Sequence, residues 1–142
     1  MKLELVSLSG VKYSGDVYEI GIPTAAGQIS VYPDHMPLIT LAAPGILTVR
    51  KAKDTPNEDV ETFASFGGVI EVDGQTVRIL VDEVDHADEL VEEEVREAYQ
   101  KAQKLRAQAT SAVDLEKAQS LMDRHAVRLK VAELKRRPRR HQ

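Results

Sequence analysis

Residues 27–49 read GQISVYPDHMPLITLAAPGILTV, and the punctuation of this stretch decides the fold. Three short β-prone runs, Ile29–Val31, Leu38–Leu41 and Ile46–Val49, are separated by Tyr32-Pro33-Asp34-His35-Met36-Pro37 and by Ala42-Ala43-Pro44-Gly45. Proline fixes φ and removes a ladder donor, while the glycine at 45 is free to take positive φ, so the strands must break at both places. Runs this short between such breakers are strands rather than helices. The stretch is a tight β-corner, and it places no side chain for chemistry.

Strand patterning continues on either side. Leu3–Leu8 alternates and is turned by Ser9-Gly10; Val11–Ser14 and Val17–Ile22 follow, with Gly15-Asp16 between them, and Pro23–Gly27 reads as a loop into the corner. Beyond the corner, Thr48–Ala52 extends the last strand to a polar loop at Lys53–Asp59. Val60–Phe66 and Val69–Val72 then flank Gly67-Gly68, a pair that marks a β-bulge or a close backbone contact. Asp73-Gly74 is the clearest hairpin signal, expected as a type I′ turn with both residues at positive φ. After it, Val77, Ile79 and Val81 face a core while Thr76, Arg78 and Leu80 face away. Some eight to ten short strands predict an N-terminal antiparallel β-sandwich over residues 1–86.

After Asp85 the period changes. Asp88 is placed to cap a helix whose first turns carry Glu89, Glu92, Glu93 and Glu94, which suits the positive end of the helix dipole. Val91, Val95, Ala98, Ala102, Leu105 and Ala109 form one apolar stripe. Thr110–Asp114 breaks it, and Ser111 with Asp114 resembles a capping box. Leu115, Ala118, Met122, Ala126, Leu129 and Ala132 form a second stripe, with Pro138 as its outer limit. Two amphipathic helices joined by four or five residues make an antiparallel two-helix hairpin over residues 87–142. Half of each stripe is alanine, so the hairpin is expected to be weakly held and able to open and re-dock.

Bulk properties narrow the function. The chain has 142 residues and no cysteine, which excludes disulfides, thiolate catalysis and sulfur-based zinc sites. No apolar run approaches the roughly 20 residues of a membrane helix, and the N-terminus lacks an apolar signal core. The net charge of −4 divides into −7 for residues 1–86 and +3 for residues 87–142. The four histidines, His35, His86, His125 and His141, are scattered without metal-ligand spacing. There is no Gly-rich phosphate loop and no nucleophile elbow, so neither a catalytic nor a metal site is expected. The Arg-rich end, Lys135-Arg136-Arg137-Pro138-Arg139-Arg140, lacks the aromatic residues that stack on nucleotides, and nucleic-acid binding is not expected.

The corner resembles a segment of the epsilon subunit of bacterial and chloroplast F-type ATP synthases. The resemblance is carried by Gly27, Ile29, Val31, Pro33, His35, Pro37, Leu38, Ile39, Thr40, Pro44, Gly45, Ile46, Leu47 and Val49. A second match is FASFGGVIEV at Phe63–Val72, followed by Val77–Val81. It implies a non-catalytic subunit of the rotor's central stalk, coupling ion-driven rotation to ATP synthesis. The implied partners are the gamma subunit, the ring of membrane c subunits and the catalytic alpha and beta subunits. The implied location is the membrane face that carries the catalytic head, cytoplasmic in a bacterium or stromal in a plastid. His35, Pro37 and Leu38 on the sandwich are the expected partner contacts. On the hairpin they are Arg124, Arg128, Lys130, Lys135 and Arg136, facing acidic segments of the catalytic subunits, where the hairpin restrains ATP hydrolysis.

No cofactor is required. Some members of the family bind regulatory ATP through an Ile/Leu-Asp-x-x-Arg-Ala motif on the first helix and arginines on the second. Arg96, Arg124 and Arg128 are the residues of this chain that such a site would use. Here, however, Glu92 stands at the apolar position, Glu93 at the Asp and Glu97 at the Ala, and the added negative charge opposes a triphosphate. The alternative to a rotor subunit is a sandwich-and-hairpin adaptor for another assembly.

Overall fold

Ten strands and two helices appear in the computed structural model, which describes residues 1–136 and, for Arg136, the backbone alone. The chain divides into a unit spanning Met1–His86 and a second that begins at Ala87. The positions 137–142, with the outer limit expected at Pro138, lie outside the described residues.

The first unit is a sandwich of two five-stranded sheets. One has the order β2 (Gly10–Asp16), β1 (Lys2–Ser7), β9 (Thr76–Val81), β8 (Val69–Val72), β5 (Leu38–Leu41). The other runs β10 (Glu83–His86), β7 (Glu61–Phe66), β6 (Gly45–Arg50), β3 (Glu19–Thr24), β4 (Gly27–Val31). Alternation places Leu3, Leu5, Ile22, Leu47, Phe63 and Ile79 in a shared core, each 1% exposed or less. The outward positions of β9 are Thr76, Arg78 and Leu80, as its period of two requires.

The corner works by crossing between sheets. β4 lies in the second sheet, β5 in the first and β6 in the second again. The first crossing is turned by the His35 N–H donating to the Tyr32 carbonyl (3.1 Å), with Asp34 at φ 66°. The second is tied by Ala42 N–H to the Gly68 carbonyl (3.0 Å) and Ala43 N–H to the Pro23 carbonyl (2.9 Å). Gly45 is not at positive φ, contrary to the sequence expectation. It is small because a Cβ there would lie 2.8 Å from the Pro23 ring.

Several boundaries differ from the sequence reading, each for a local reason. β2 runs on through Gly15-Asp16 because it pairs with β1 along its length, Lys2 facing Asp16. Pro23 lies within β3, at a point where pairing to β6 has already ended at Gly21, so its missing N–H breaks no ladder bond there. β1 and β9 pair in parallel, Leu3 opposite Val77 and Leu5 opposite Ile79. A parallel pair needs a long connection, and here nearly the whole sandwich supplies it. The turn after β8 is not type I′: Gly74 alone has positive φ (99°), Asp73 does not, and Gly74 is the first of two central residues. The Asp73 carboxylate accepts the N–H groups of Gln75 (3.2 Å) and Thr76 (2.8 Å). β10, a four-residue strand that the sequence reading did not separate, pairs with β7.

In the second unit, α1 spans Glu92–Gln108 and α2 spans Ala112–Arg136, joined by 109–111. Asp88 lies in a 3₁₀ turn, Ala87–Glu89, and does not cap α1, whose N-cap is Val91 without a side-chain bond. The start of α2 does form the expected cap, Ser111 Oγ accepting the Asp114 N–H at 3.1 Å. Val95, Ala102, Ala118, Met122 and Ala132 are buried, while Val91, Leu105, Leu115 and Ala126 at the stripe ends and middle are exposed. Val131, outside the predicted stripe, is fully buried.

Candidate partner-binding face

The outer surface of the first sheet is the most distinctive part of the sandwich. Registers place Val11 opposite Val6, Val6 opposite Leu80, Leu80 opposite Val69, and Val69 opposite Leu41. Directly paired residues share a face, so one apolar row crosses all five strands. Val11 (66%), Leu80 (55%) and Leu41 (67%) are well exposed, and Leu8, in the turn beside Val11, is 90% exposed. Single exposed apolar residues are ordinary, but a contiguous row marks a binding surface.

The next row is charged and closed on itself. Lys2 Nζ lies 3.4 Å from Glu4 Oε1, Arg78 Nε 3.3 Å from Glu4 Oε2, and Arg78 Nη1 3.9 Å from Glu71 Oε1. These groups satisfy one another, so a partner seated on the apolar row has no counter-charge to provide there. The two ends of the sandwich also differ. The connections 8–9, 25–26, 42–44 and 67–68 at one end carry no charged side chain, and the β9–β10 connection brings only Asp82. Connections at the opposite end include Asp34, Lys51, Lys53, Asp54, Glu58, Asp59 and Asp73. The apolar row lies beside the uncharged end.

The Gly67-Gly68 pair is a close backbone contact beside this row, with φ 65° and 133°. A Cβ on Gly68 would overlap the Leu80 carbonyl oxygen and lie 2.8 Å from Val81 Cα. At the charged end, a network that the sequence did not reveal fixes the 51–60 loop. Arg50 donates to Glu19 Oε2 (3.1 Å), to the Thr55 carbonyl and to Asn57 Oδ1 (2.7 Å), and Tyr32 OH donates to Glu19 Oε1 (3.0 Å). That last bond, to the Glu19 carboxylate, raises the Tyr32 phenol above its ordinary range.

The expected contact residues fall in different places. His35 is half-buried, its Nδ1 2.7 Å from the Met36 carbonyl, and Pro37 is exposed; both sit at the charged end, away from the apolar row. Leu38 is half-buried against the core, and its neighbours Ile39 and Leu41 take the outer face instead. On the hairpin, Arg96 Nη2 is 2.6 Å from Glu92 Oε1 and 4.0 Å from Glu133 Oε1. Arg128 Nη1 is 3.4 Å from His125 Nδ1. Arg124 and Arg128 are half-buried, Lys130 and Lys135 exposed, and the Arg136 side chain lies outside the described residues. Among the described residues, no three His, Cys, Asp or Glu groups are arranged to hold a metal. An open cavity of about 360 Å³ beside Asp16, Asp34 and Thr76 is lined by no histidine.

Comparison with known proteins agrees with the architecture. Residues 1–87 match the family described as ATP synthase, Delta/Epsilon chain, beta-sandwich domain. The chain is 37% identical over 132 residues to the ATP synthase epsilon chain of Chloroflexus aggregans, covering 93% of this chain and 91% of that one. It is 35% identical over 98 residues to ATP synthase epsilon chain 2 of Burkholderia orbicola, covering 69% of this chain and 62% of that one. Among solved structures, it shares its fold with a chain of the Euglena gracilis mitochondrial ATP synthase (OSCP/F1/c-ring in rotational state 1). That match has a TM-score of 0.77 at 21% identity, covering 93% of this chain and 79% of the other. A sandwich matched over its whole length, with a similarity to an epsilon chain that extends over 93% of the chain, places this chain in the ATP synthase epsilon chain family.

Proposed function

We propose that this chain is a non-catalytic subunit of the central stalk of an F-type ATP synthase rotor. In that role it couples ion-driven rotation to ATP synthesis and regulates hydrolysis through its hairpin. The observation that carries the reading is the apolar row across five strands, on a chain of this family. A rotor subunit transmits torque through surfaces that stay buried, and apolar burial bordered by an internally neutral charge ladder supports a permanent contact. The row is assigned to the gamma subunit, and the uncharged end with Leu8 to the ring of c subunits. Attachment to the membrane is then through the complex; no helix among the described residues is long and apolar enough to cross one.

The basic residues of α2, Arg124, Arg128, Lys130, Lys135 and Arg136, are assigned to acidic segments of the catalytic alpha and beta subunits. No cofactor is required for this role. Regulatory ATP at Arg96, Arg124 and Arg128 is opposed by Glu92 and Glu133, which flank Arg96; a triphosphate would have to displace a carboxylate. Isothermal titration at millimolar ATP is therefore expected to show no binding.

The test is ATP hydrolysis by a complex lacking this subunit, given back either the full chain or a form ending at Ala87. The core of the first unit is built entirely from residues before 87, so the shorter form retains its own core. Binding of both with inhibition by the full chain alone supports the reading. Binding of both with no effect on rate removes the regulatory part. Failure of both to bind removes the rotor role and leaves the adaptor.

A further inference from the structure

The reading of the hairpin as an element that opens leaves open what holds it shut, because its seam is half alanine. We propose that Arg96 and Lys135 form a two-point ionic latch across the end of the hairpin remote from the 109–111 link. Arg96 is pinned by Glu92 one turn earlier on α1 (2.6 Å), and the same Nη2 reaches Glu133 on α2 (4.0 Å). Lys135, two residues beyond Glu133, returns the contact: its Nζ donates to the Ala87 carbonyl (3.5 Å) and lies 3.7 Å from Asp88 Oδ1. The two points have opposite polarity, a cation of α1 meeting an anion of α2 and a cation of α2 meeting an anion before α1. Both charges of each helix end therefore favour the paired, antiparallel arrangement over a separated one.

The location matters. Near the link the helices are tethered by the chain itself, and the apolar residues there, Leu105, Val113 and Leu115, are exposed. At the far end no covalent tether exists, and Val95, Val131 and Ala132 are the buried apolar residues of the helices near the latch, so the ionic pairs act together with a small apolar contact there. Arg96, Glu133 and Lys135 are each roughly 45% exposed. Pairs of this kind change an equilibrium by at most about five-fold each and weaken as salt screens them. A latch of that strength holds the hairpin shut without locking it, and a competing charged surface on a partner can release it.

The inference rests on the opening reading, and the test separates the two. Cysteines introduced at the exposed positions Glu93 and Leu134 of the otherwise cysteine-free full chain accept spin labels, and their distance distribution reports closed and open hairpins. The expected result is an open fraction that grows between low and high salt. At low salt, Glu133→Arg is expected to raise the open-to-closed ratio about five-fold. The double variant Arg96→Glu/Glu133→Arg should return part of that change. Opening that is equal in all variants and independent of salt overturns the latch while leaving the opening reading intact. A single closed distance in every variant, alone and bound to the catalytic complex, overturns the opening reading and the latch with it.

Discussion

Gly68 is the residue on which the apolar face depends most directly. Its φ of 133° and the backbone of Leu80 and Val81 beneath it leave no room for a side chain. Gly68→Ala is expected to destabilise the sandwich by about 3 kcal/mol, combining conformational strain with a forced shift of β9. Gly10→Ala makes the control: φ is also positive, 126°, but nothing lies within 4 Å of the added atom. Its cost is the conformational part alone, on the order of 1–2 kcal/mol. Urea midpoints of the two variants measure the difference. Asp73 gives a second test. The N–H groups of Thr76 and Gln75 hold its carboxyl below the ordinary carboxylate range. A depressed folded value means stability that is present above the unfolded value, about 3.9, and is lost as pH falls through the folded one. Asp73→Asn keeps an acceptor without the titration. The stability of the wild type relative to Asp73→Asn is therefore expected to fall on acidification from about pH 5 to below 4, as read by denaturation at each pH.

At the scale of the element, the two units rest on different kinds of contact. The sandwich core interlocks leucine, isoleucine, valine and phenylalanine, whereas the buried residues of the two helices are alanines with Val95, Met122 and Val131 alone. Burial scales with apolar area, at about 25 cal/mol per Å², so the hairpin gains less per residue. Amides of α1 and α2 are expected to exchange with deuterium faster than those of Phe63 or Ile79, and protection equal to theirs would show a rigid hairpin. The Ser111 cap is the one strong local signal in the hairpin. Ser111→Ala is expected to cost about 1 kcal/mol in helix stability, seen as faster exchange in the first turn of α2 with the sandwich amides unchanged.

Taken whole, the chain presents two surfaces with opposite salt behaviour. The apolar row is bordered by charges that pair among themselves, so binding there is expected to be almost independent of salt. The basic residues of α2 are assigned to charges in a partner, and such contacts are screened. Leu80→Asp, which places a carboxylate in the centre of the row, is expected to weaken binding to a complex lacking this subunit at least tenfold, with an unchanged urea midpoint. Tenfold corresponds to about 1.4 kcal/mol, well within the cost of burying an unpaired charge. Affinity measured at two salt concentrations then distinguishes the surfaces: the Leu80→Asp loss persists at high salt, and the contribution of Arg128 and Lys130 does not.

What the sequence determined by itself is everything set by neighbours along the chain. Period-two runs, proline breaks, the Ser111 cap and the alanine stripes follow from local sterics and hydrogen bonding, and they sufficed for a sandwich followed by a hairpin. Motif resemblance also identified the family. Tertiary structure decided what depends on register between distant segments. Val6, Val11, Leu41, Val69 and Leu80 form a row only because five strands align them. Pro23 is tolerated in β3 only because β6 stops pairing before it. Asp88 loses the capping role that its position predicted because the chain first makes a 3₁₀ turn, whose Asp88 meets Lys135 from the far end of α2. In each case the deciding partner lies tens of residues away, and no local pattern encodes which distant backbone will be there.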